Sequence, residues 1–231
     1  MSIFTISDLH LSLGNNGEKS MEIFEGWKDY VSKLETNWSR LVNENDTVII
    51  VGDISWAMKL EDAKDDLEFI NKLPGKKILL KGNHDYWWST ASKVNEFLKS
   101  NNFDTISILY NSSVELEGIC VCGTRGWMYK SETEQDKKIL LREVGRLRRS
   151  IEMAESNNLE PVVFLHYPPI YGKDESEEII NLLIEKNVKK CYYGHIHGNG
   201  AIRKVVEGNY KGINLKLVSC DYINFSPLLV K

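Results

Sequence analysis

Side chains that can bind a metal ion or move a proton follow five separate apolar segments of the chain. They are Asp8-Leu9-His10, Gly52-Asp53, Asn83-His84-Asp85, His166 and His195-Ile196-His197. All five histidines of the chain fall in this set, whereas histidines that serve packing or solubility would be scattered. Carboxylate, imidazole and amide groups without a thiolate suit manganese, iron or zinc better than a structural, sulfur-bound zinc.

The spacing within two of these segments is that of paired metal ligands. Asp8 and His10 stand two residues apart at the end of an extended run, as do His195 and His197. The two side chains of each pair can therefore point the same way. Two ions roughly 3.5–4 Å apart can lower the pKa of a bridging water and hold a phosphoryl group during in-line displacement. Asp53, alone after a glycine, is the candidate carboxylate for a bridge between them.

The elements that must position these groups alternate between apolar strands and amphipathic helices. Strands are predicted at 2–7, 47–51, 77–80, 105–109, 114–121, 161–165 and 191–193, and then in AIRKVV, INLKLVSC and PLLV. Helices are predicted at 21–42, 60–73, 89–100, 131–158 and 174–185. The apolar stripe of the first helix includes Ile23 and Phe24. A turn at Asn111-Ser112 is expected to join the fourth and fifth strands, and Ser131 is expected to begin a capping box.

This alternation predicts an α/β core, which the hairpin-like C-terminal part completes as a mixed sheet. No internal repeat or proline-rich linker interrupts the chain, so one domain over residues 1–231 is the favoured organisation. The five polar segments each follow a predicted strand. In α/β sheets, the carboxyl ends of the strands form the edge where ligands bind.

The bulk composition limits the classes of function. With 231 residues, 42% of them hydrophobic, the chain can bury a substantial core. The net charge of −4 gives no support for binding along an extended nucleic acid, which usually needs a basic face. No apolar run is long enough to cross a bilayer, and no secretory signal is visible. Cys120, Cys122, Cys191 and Cys220 have no C-x-x-C spacing, which favours reduced core residues of a cytoplasmic protein.

The ordered set D-x-H, G-D, G-N-H-D, an isolated histidine and G-H-x-H resembles the calcineurin-like metallophosphoesterase superfamily, from Asp8 to His197. The resemblance implies an α/β fold that is a four-layer sandwich of two mixed β-sheets flanked by α-helices. It also implies two divalent metal ions, manganese, iron or zinc, and hydrolysis of a phosphate ester by attack of a metal-bound hydroxide.

The same resemblance implies roles for individual residues. Seven would hold the two ions: Asp8, His10 and His197 the first, Asn83, His166 and His195 the second, and Asp53 both. His84 would contact the phosphate and protonate the leaving oxygen. Asp85 would hold the His84 imidazole in its working tautomer.

Two departures from the family patterns bear on the substrate. Ile-Ser-Trp follows Gly52-Asp53, where many relatives carry a further Asp and the protein phosphatases of the family carry Asp-Arg-Gly. The chain also has G-N-H-D where those protein phosphatases have G-N-H-E. Both favour a phosphodiester, a nucleotide or a small-molecule phosphomonoester over a phosphoprotein. One alternative is a nuclease or RNA-processing phosphodiesterase of the same fold, which the net charge does not support. Another is a non-catalytic metal-binding scaffold, although such relatives typically lack ligands that are all present here.

Other residues admit two interpretations. Four tryptophans could line an aromatic wall where a base or aromatic leaving group stacks, or they could pack beneath loops: Trp56, Trp87, Trp88 and Trp127. Arg125 could bind a phosphate oxygen in fork geometry or occupy a surface turn. A solvated helix face, or a lid over the substrate, would explain Arg142, Arg146 and Arg149. The polar segment 11–20 is expected to form a loop at the rim of the site.

Overall fold

In the computed structural model, two large β-sheets lie face to face, and helices cover the outer side of each. The structure describes residues 1–14, 19–127 and 133–231. The strands of the first sheet are β1 (Ile3–Ile6), β2 (Thr47–Val51), β3 (Lys76–Leu80), β4 (Ile106–Ile108) and β13 (Leu228–Leu229). Their order is β13-β1-β2-β3-β4, in which β1 to β4 are parallel and β13 pairs antiparallel with β1.

The second sheet is also mixed. It contains β5 (Ser113–Leu116), β6 (Ile119–Thr124), β7 (Glu160–Leu165), β10 (Lys190–Tyr193), β11 (Gly208–Tyr210) and β12 (Ile213–Leu217). The order is β11-β12-β10-β7-β6-β5, with four parallel strands at the centre and an antiparallel strand at each edge. A small separate pair consists of β8 (Ile170–Tyr171) and β9 (Asp174–Glu175).

Six α-helices are present in the described ranges. They are α1 (Tyr30–Leu41), α2 (Lys64–Lys72), α3 (Ala91–Ser100), α4 (Glu134–Ser156), α5 (Glu177–Glu185) and the short α6 (Asn199–Ile202). Single 3-10 turns at Met21–Ile23 and Glu61–Ala63 precede α1 and α2. No helix in the described ranges is both long and apolar enough to cross a membrane.

The central strand β2 explains why the fold has four layers. Its side chains alternate: Val48 and Ile50 pack with residues of α1, α2 and α3, whereas Ile49 and Val51 pack with the second sheet. Both faces of the strand are thus buried, which accounts for its unbroken run of apolar and β-branched residues. On the far side, α4 and α5 cover the second sheet. The expected α/β sandwich of two mixed sheets flanked by helices is confirmed.

The helix predicted at 21–42 is shorter than expected. Gly26 has a φ of 90° and Asp29 a φ of 54°, and both values lie in the left-handed region that a right-handed helix cannot include. The α-helix therefore begins only at Tyr30. Ile23, placed on the buried stripe by its spacing, is 82% exposed, and Phe24 is also exposed.

The strand predicted at 114–121 is a hairpin of β5 and β6. Its two-residue turn, Glu117-Gly118, has positive φ at both positions, as a type I′ turn requires. Asn111-Ser112 lies where the chain passes from β4 in the first sheet to β5 in the second, so it does not join paired strands.

Two further predictions differ in detail. The AIRKVV strand is wrong, because Ala201 belongs to α6 and only Val205 forms an isolated bridge. The capping box of α4 is formed by Thr133 and Asp136, whereas Ser131 lies outside the described residues. All four cysteines are buried and free, in keeping with their expected place in the core.

The apolar stripe of α4 gives a direct test of this packing. Leu147 is fully buried against the second sheet, whereas Leu141 on the same helix is 61% exposed. Leu147→Ala should lower the free energy of unfolding by about 2–5 kcal/mol, because it leaves a cavity in a packed core. Leu141→Ala is the matched control and should change it little. Urea denaturation measures both, and equal losses would contradict this orientation of α4.

Candidate metal centre

The five polar segments meet where strands of both sheets end. Asp8 follows β1, Asp53 follows β2 and Asn83 follows β3, and these strands are parallel neighbours in the first sheet. His166 follows β7 and His195 follows β10, which are parallel neighbours in the second sheet. The carboxyl edges of the two sheets face each other there, because Asp53 Oδ2 lies 3.4 Å from His166 Nε2.

Two groups of three ligand atoms form at this edge, each with its atoms within 4.8 Å of one another. The first group is Asp8, His10 and His197, and the second is Asp53, His166 and His195. Each group combines one carboxylate with two imidazoles and contains no sulfur, a set that suits divalent metal ions. The family resemblance implies the same first set; for the second it implies His166 and His195 together with Asn83, and it assigns Asp53 to both ions.

Asp53 belongs to the second group and also lies close to the first. Its Oδ2 atom is 3.7 Å from His10 Nε2 on one side and 3.4 Å from His166 Nε2 on the other. This oxygen is buried and accepts no hydrogen bond from the described residues, while Oδ1 accepts one from the His84 N–H at 2.8 Å. A buried carboxylate oxygen without a donor is costly, so a cation beside it would stabilise the arrangement.

His10 also fits a metal ion. Both of its ring nitrogens are buried and have no hydrogen-bond partner among the described residues. Burial lowers the pKa of His10 to about 3, and burial likewise lowers the pKa of His195 to about 3. Both imidazoles are therefore neutral at physiological pH, which is the form that binds metal ions.

His166 is held in one orientation by the backbone. Its Nδ1 lies 2.9 Å from the carbonyl oxygen of Val51, so the proton on Nδ1 is donated there and Nε2 faces the centre. Nε2 lies 2.7 Å from Asn83 Oδ1. Burial opposes a charge on this ring, but the Asp53 carboxylate outweighs it and raises the pKa of His166 to about 9. A proton on His166 therefore balances part of the negative charge of Asp53.

Asp8 is held by groups that the motifs did not reveal. Its carboxylate accepts the His195 N–H at 2.9 Å and the Ser219 hydroxyl at 2.8 Å, and burial raises its pKa. Sequence reasoning missed Ser219, which follows β12, because a serine outside the motifs carries no signal. It also missed Trp27, whose ring is edge-on to His10 at 6.1 Å, and Tyr167, whose ring lies 4.5 Å from His195.

The backbone at the centre adopts an unusual conformation. Four ligand candidates have positive φ, with values of 58°, 45°, 52° and 71° for Asp8, His10, Asp53 and His195. Such values are uncommon for residues other than glycine and cluster at functional sites. A Cβ on Gly82 would lie 2.1 Å from Asp53 Oδ1, so this glycine of the G-N-H-D motif allows the close approach of two strand ends.

Asp85 does not orient His84, so that prediction is wrong. Its carboxylate is fully buried and accepts five hydrogen bonds, all from other groups. Three come from the consecutive N–H groups of residues 53–55, one from the Gly82 N–H and one from the Trp87 indole. Asp85 therefore fastens the loop after β2 to the loop after β3 and positions Asp53. Burial raises its pKa to about 6.

His84 and Trp56 lie beside the first ligand group. The half-buried ring of His84 is 5.6 Å from that of His10 and 4.5 Å from that of Trp56, and Trp56 itself stacks on His10 at 4.6 Å. Trp87 is not part of an aromatic wall, because only 1% of it is exposed and its indole N–H is donated to Asp85. Trp88 is buried as well.

Arg125 lies on the other side of the centre. Its guanidinium stacks over the Trp127 ring at 4.7 Å, and its carbonyl accepts the N–H of Tyr167, the residue after His166, at 2.9 Å. It therefore stands near the second ligand group, partly exposed. The rim loop expected at 11–20 falls partly on residues 15–18, which are outside the described ranges.

Comparison with known proteins identifies the family. The model of the calcineurin-like phosphoesterase family matches residues 1–199. This chain is a calcineurin-like phosphoesterase. Family membership and the two ligand groups together indicate that it binds divalent metal ions. No match was found among curated proteins.

Solved structures share the fold of this calcineurin-like phosphoesterase. A "Protein of Unknown Function AQ665" from Aquifex aeolicus has 21% identity and a TM-score of 0.52, over 99% of this chain and 95% of its own. TT1561 of Thermus thermophilus has 11% identity and a TM-score of 0.55, over 84% of this chain and 81% of its own. A "Putative 5'-Nucleotidase" from Staphylococcus aureus in complex with alpha-ketoglutarate has 14% identity and a TM-score of 0.51, over 94% of this chain and 48% of its own.

The close approach at Gly82 can be tested by adding one methyl group. Gly82→Ala should weaken manganese binding by about tenfold or more, because the new Cβ would displace the Asp53 carboxylate. The control is Gly145→Ala in α4, where an added Cβ has nothing within 4 Å. It should bind manganese as the wild type does and gain about 0.5–1 kcal/mol of stability. Isothermal titration calorimetry compares the two, and equal affinities would contradict the role given to Gly82.

Proposed function

We propose that this phosphoesterase is a hydrolase of phosphate esters that uses two divalent metal ions, with manganese, iron and zinc as the candidates. Asp53 Oδ2 carries the proposal, because this buried oxygen accepts no hydrogen bond from the described residues and lies close to histidines of both ligand groups. Asp8, His10 and His197 would hold one ion. Asn83, His166 and His195 would hold the other, with Asp53 shared. When bound, the ions would activate a water and neutralise charge that develops on the phosphoryl oxygens.

His84 is proposed as the group that contacts the phosphate and donates a proton to the leaving oxygen. Its N–H is donated to Asp53 Oδ1 at 2.8 Å, which ties its backbone to the shared carboxylate. The imidazole itself is half-buried and makes no hydrogen bond to a described residue, so both nitrogens are available to a substrate. An acid placed there would contribute about 10²–10⁴-fold to the rate.

The substrate is proposed to be a phosphodiester, a nucleotide or a small phosphomonoester. Trp56 and Tyr86 flank His84, with ring separations of 4.5 Å and 6.1 Å, and Tyr86 is 56% exposed. Both could stack against a base or aromatic leaving group. A solved structure with this fold is named a "Putative 5'-Nucleotidase", which supports including a nucleotide in this proposal.

Two further statements belong to this proposal. Residues 1–231 are proposed to form one domain, because the core between the sheets combines side chains from Ile3 to Val218. A cytoplasmic location is proposed because the four buried cysteines remain free.

The catalytic claim is tested by replacing Asp53. Protein treated with a chelator and reloaded with manganese should hydrolyse bis-p-nitrophenyl phosphate, p-nitrophenyl phosphate or both. Asp53→Asn should lose at least about 100-fold of this activity and bind fewer manganese ions, since an amide carries no charge to share between two cations. Calorimetry gives the number of ions bound. Two ions per wild-type chain without hydrolysis of either ester would favour a non-catalytic metal-binding scaffold.

The role of His84 is tested through the leaving group. His84→Ala should lower kcat far more for phenyl phosphate than for p-nitrophenyl phosphate, because phenol, with a pKa of about 10, needs a proton to leave and p-nitrophenol needs it less. Manganese stoichiometry should not change. A loss of equal size for both esters would mean that His84 binds the phosphate without acting as an acid.

A further inference from the structure

A basic cavity lies beside the metal centre. Its volume is about 200 Å³, and it is bounded by the ends of β3 and β6 and by one face of α4. Lys81 and Arg125 reach it from the strand ends, and Arg142 and Arg146 from the helix. The one acidic residue among its lining residues is Glu143, so the lining carries a net charge of +3.

The charge of Glu143 is already engaged. It is 1% exposed, pairs with Arg146 at 2.6 Å and accepts the Thr124 hydroxyl. Lys81 and Arg125 have no carboxylate partner within the described residues, and the Lys81 ammonium donates to the Trp88 carbonyl at 2.6 Å. Burial and the charges of Arg125 and Arg146 lower the pKa of Lys81. The cavity therefore brings like charges together without enough negative charge to balance them.

Two of the arginines stack on aromatic rings, and Arg146 also donates from Nη1 to Glu143 at 2.6 Å. The Arg125 guanidinium lies over the Trp127 ring at 4.7 Å, and that of Arg146 over the Tyr110 ring at 5.6 Å. Stacking fixes the plane of a guanidinium while its N–H groups still point outward, which suits the oxygens of a phosphate. The cations around this cavity repel one another, and a bound anion would relieve that repulsion.

The cavity adjoins the second ligand group. Lys81 precedes Asn83 by two residues, and the Arg125 carbonyl accepts the N–H of Tyr167, which follows His166. A ligand whose phosphoryl group lies at the metal centre could therefore place another anionic group in the cavity. The basic residues surround one small cavity between α4 and two strand ends. A cavity of this size fits a small ligand better than an extended nucleic acid.

We propose that this cavity binds a second phosphoryl group of the substrate, one that is not cleaved. The inference rests on the proposed function and narrows it to phosphate esters that carry at least two phosphoryl groups. Phosphate is favoured over a carboxylate because its three oxygens and higher charge can engage Lys81, Arg125 and Arg146 together.

The first arm of the test measures the cavity alone. The full chain, freed of metal by a chelator, is titrated with inorganic phosphate by calorimetry. One phosphate should bind, and Arg125→Gln should weaken binding by about tenfold or more. Arg146→Gln should also weaken binding, but it removes the ion-pair partner of Glu143 as well. Arg125→Gln is the cleaner variant, because Arg125 has no ion pair in the described ranges and its replacement leaves no charge unpaired.

The matched control is Arg149→Gln, an exposed arginine of the same helix that does not line the cavity. It should bind phosphate as the wild type does. Absence of phosphate binding, or equal binding by Arg125→Gln and wild type, would overturn the proposal. Thermal melting of each variant verifies that it is folded.

The second arm identifies the source of the phosphate. Manganese-loaded protein is assayed with AMP, ADP and adenosine 3′,5′-bisphosphate. At least one of the two compounds with two phosphoryl groups should exceed AMP in kcat/KM by about tenfold. Arg125→Gln should bring this ratio close to one, whereas Arg149→Gln should retain it. Phosphate binding without any such preference would mean that the cavity takes free phosphate, which overturns the substrate assignment. Failure to hydrolyse any ester would instead count against the proposed function, because the first arm does not depend on catalysis.

Discussion

The buried oxygen of Asp53 that accepts no hydrogen bond from the described residues is the constraint on which the rest of the site depends. Keeping a carboxylate there requires that its backbone be fixed and that charge be supplied nearby. Asp85 meets the first requirement by accepting the N–H groups of residues 53–55 and of Gly82. His166 meets the second, because its raised pKa leaves it protonated beside Asp53 when no cation is present. A metal ion would replace a proton that the fold already accommodates.

The two sheets matter because neither could build the centre alone. The first sheet contributes the candidate oxygen ligands Asp8, Asp53 and Asn83 as well as His10. The second contributes the imidazoles of His166 and His195. The core between the sheets fixes the distance between these two sets. Side chains such as Ile49, Val51 and Phe164 are fully buried there, and Val51 also holds His166 through its carbonyl oxygen. Packing and ligand geometry are thus linked through the same strand.

The meeting of the five polar segments could be predicted from the sequence because each segment follows a recognisable strand, and parallel strands bring their ends to one edge. The failures have a different origin. Asp85 stands next to His84 in sequence, but its hydrogen bonds are set by Asp53 and Gly82, which only the tertiary structure brings close. Trp87 supports Asp85 from the core for the same reason. The helix at 21–42 was overextended because apolar spacing counts Ile23 whether or not anything covers it.

The basic cavity was beyond sequence reasoning for a related reason. Lys81, Arg125 and Arg146 belong to three distant segments, and the helical arginines have the spacing of an ordinary solvated face. What sets Arg146 apart from Arg149 is Glu143, a buried acid that pairs with Arg146 and accepts the Thr124 hydroxyl at the end of β6. Through this contact α4 is fastened to the second sheet beside the ligand-bearing strand ends. The interaction that holds α4 on the second sheet therefore also brings its cations close to the candidate metal centre.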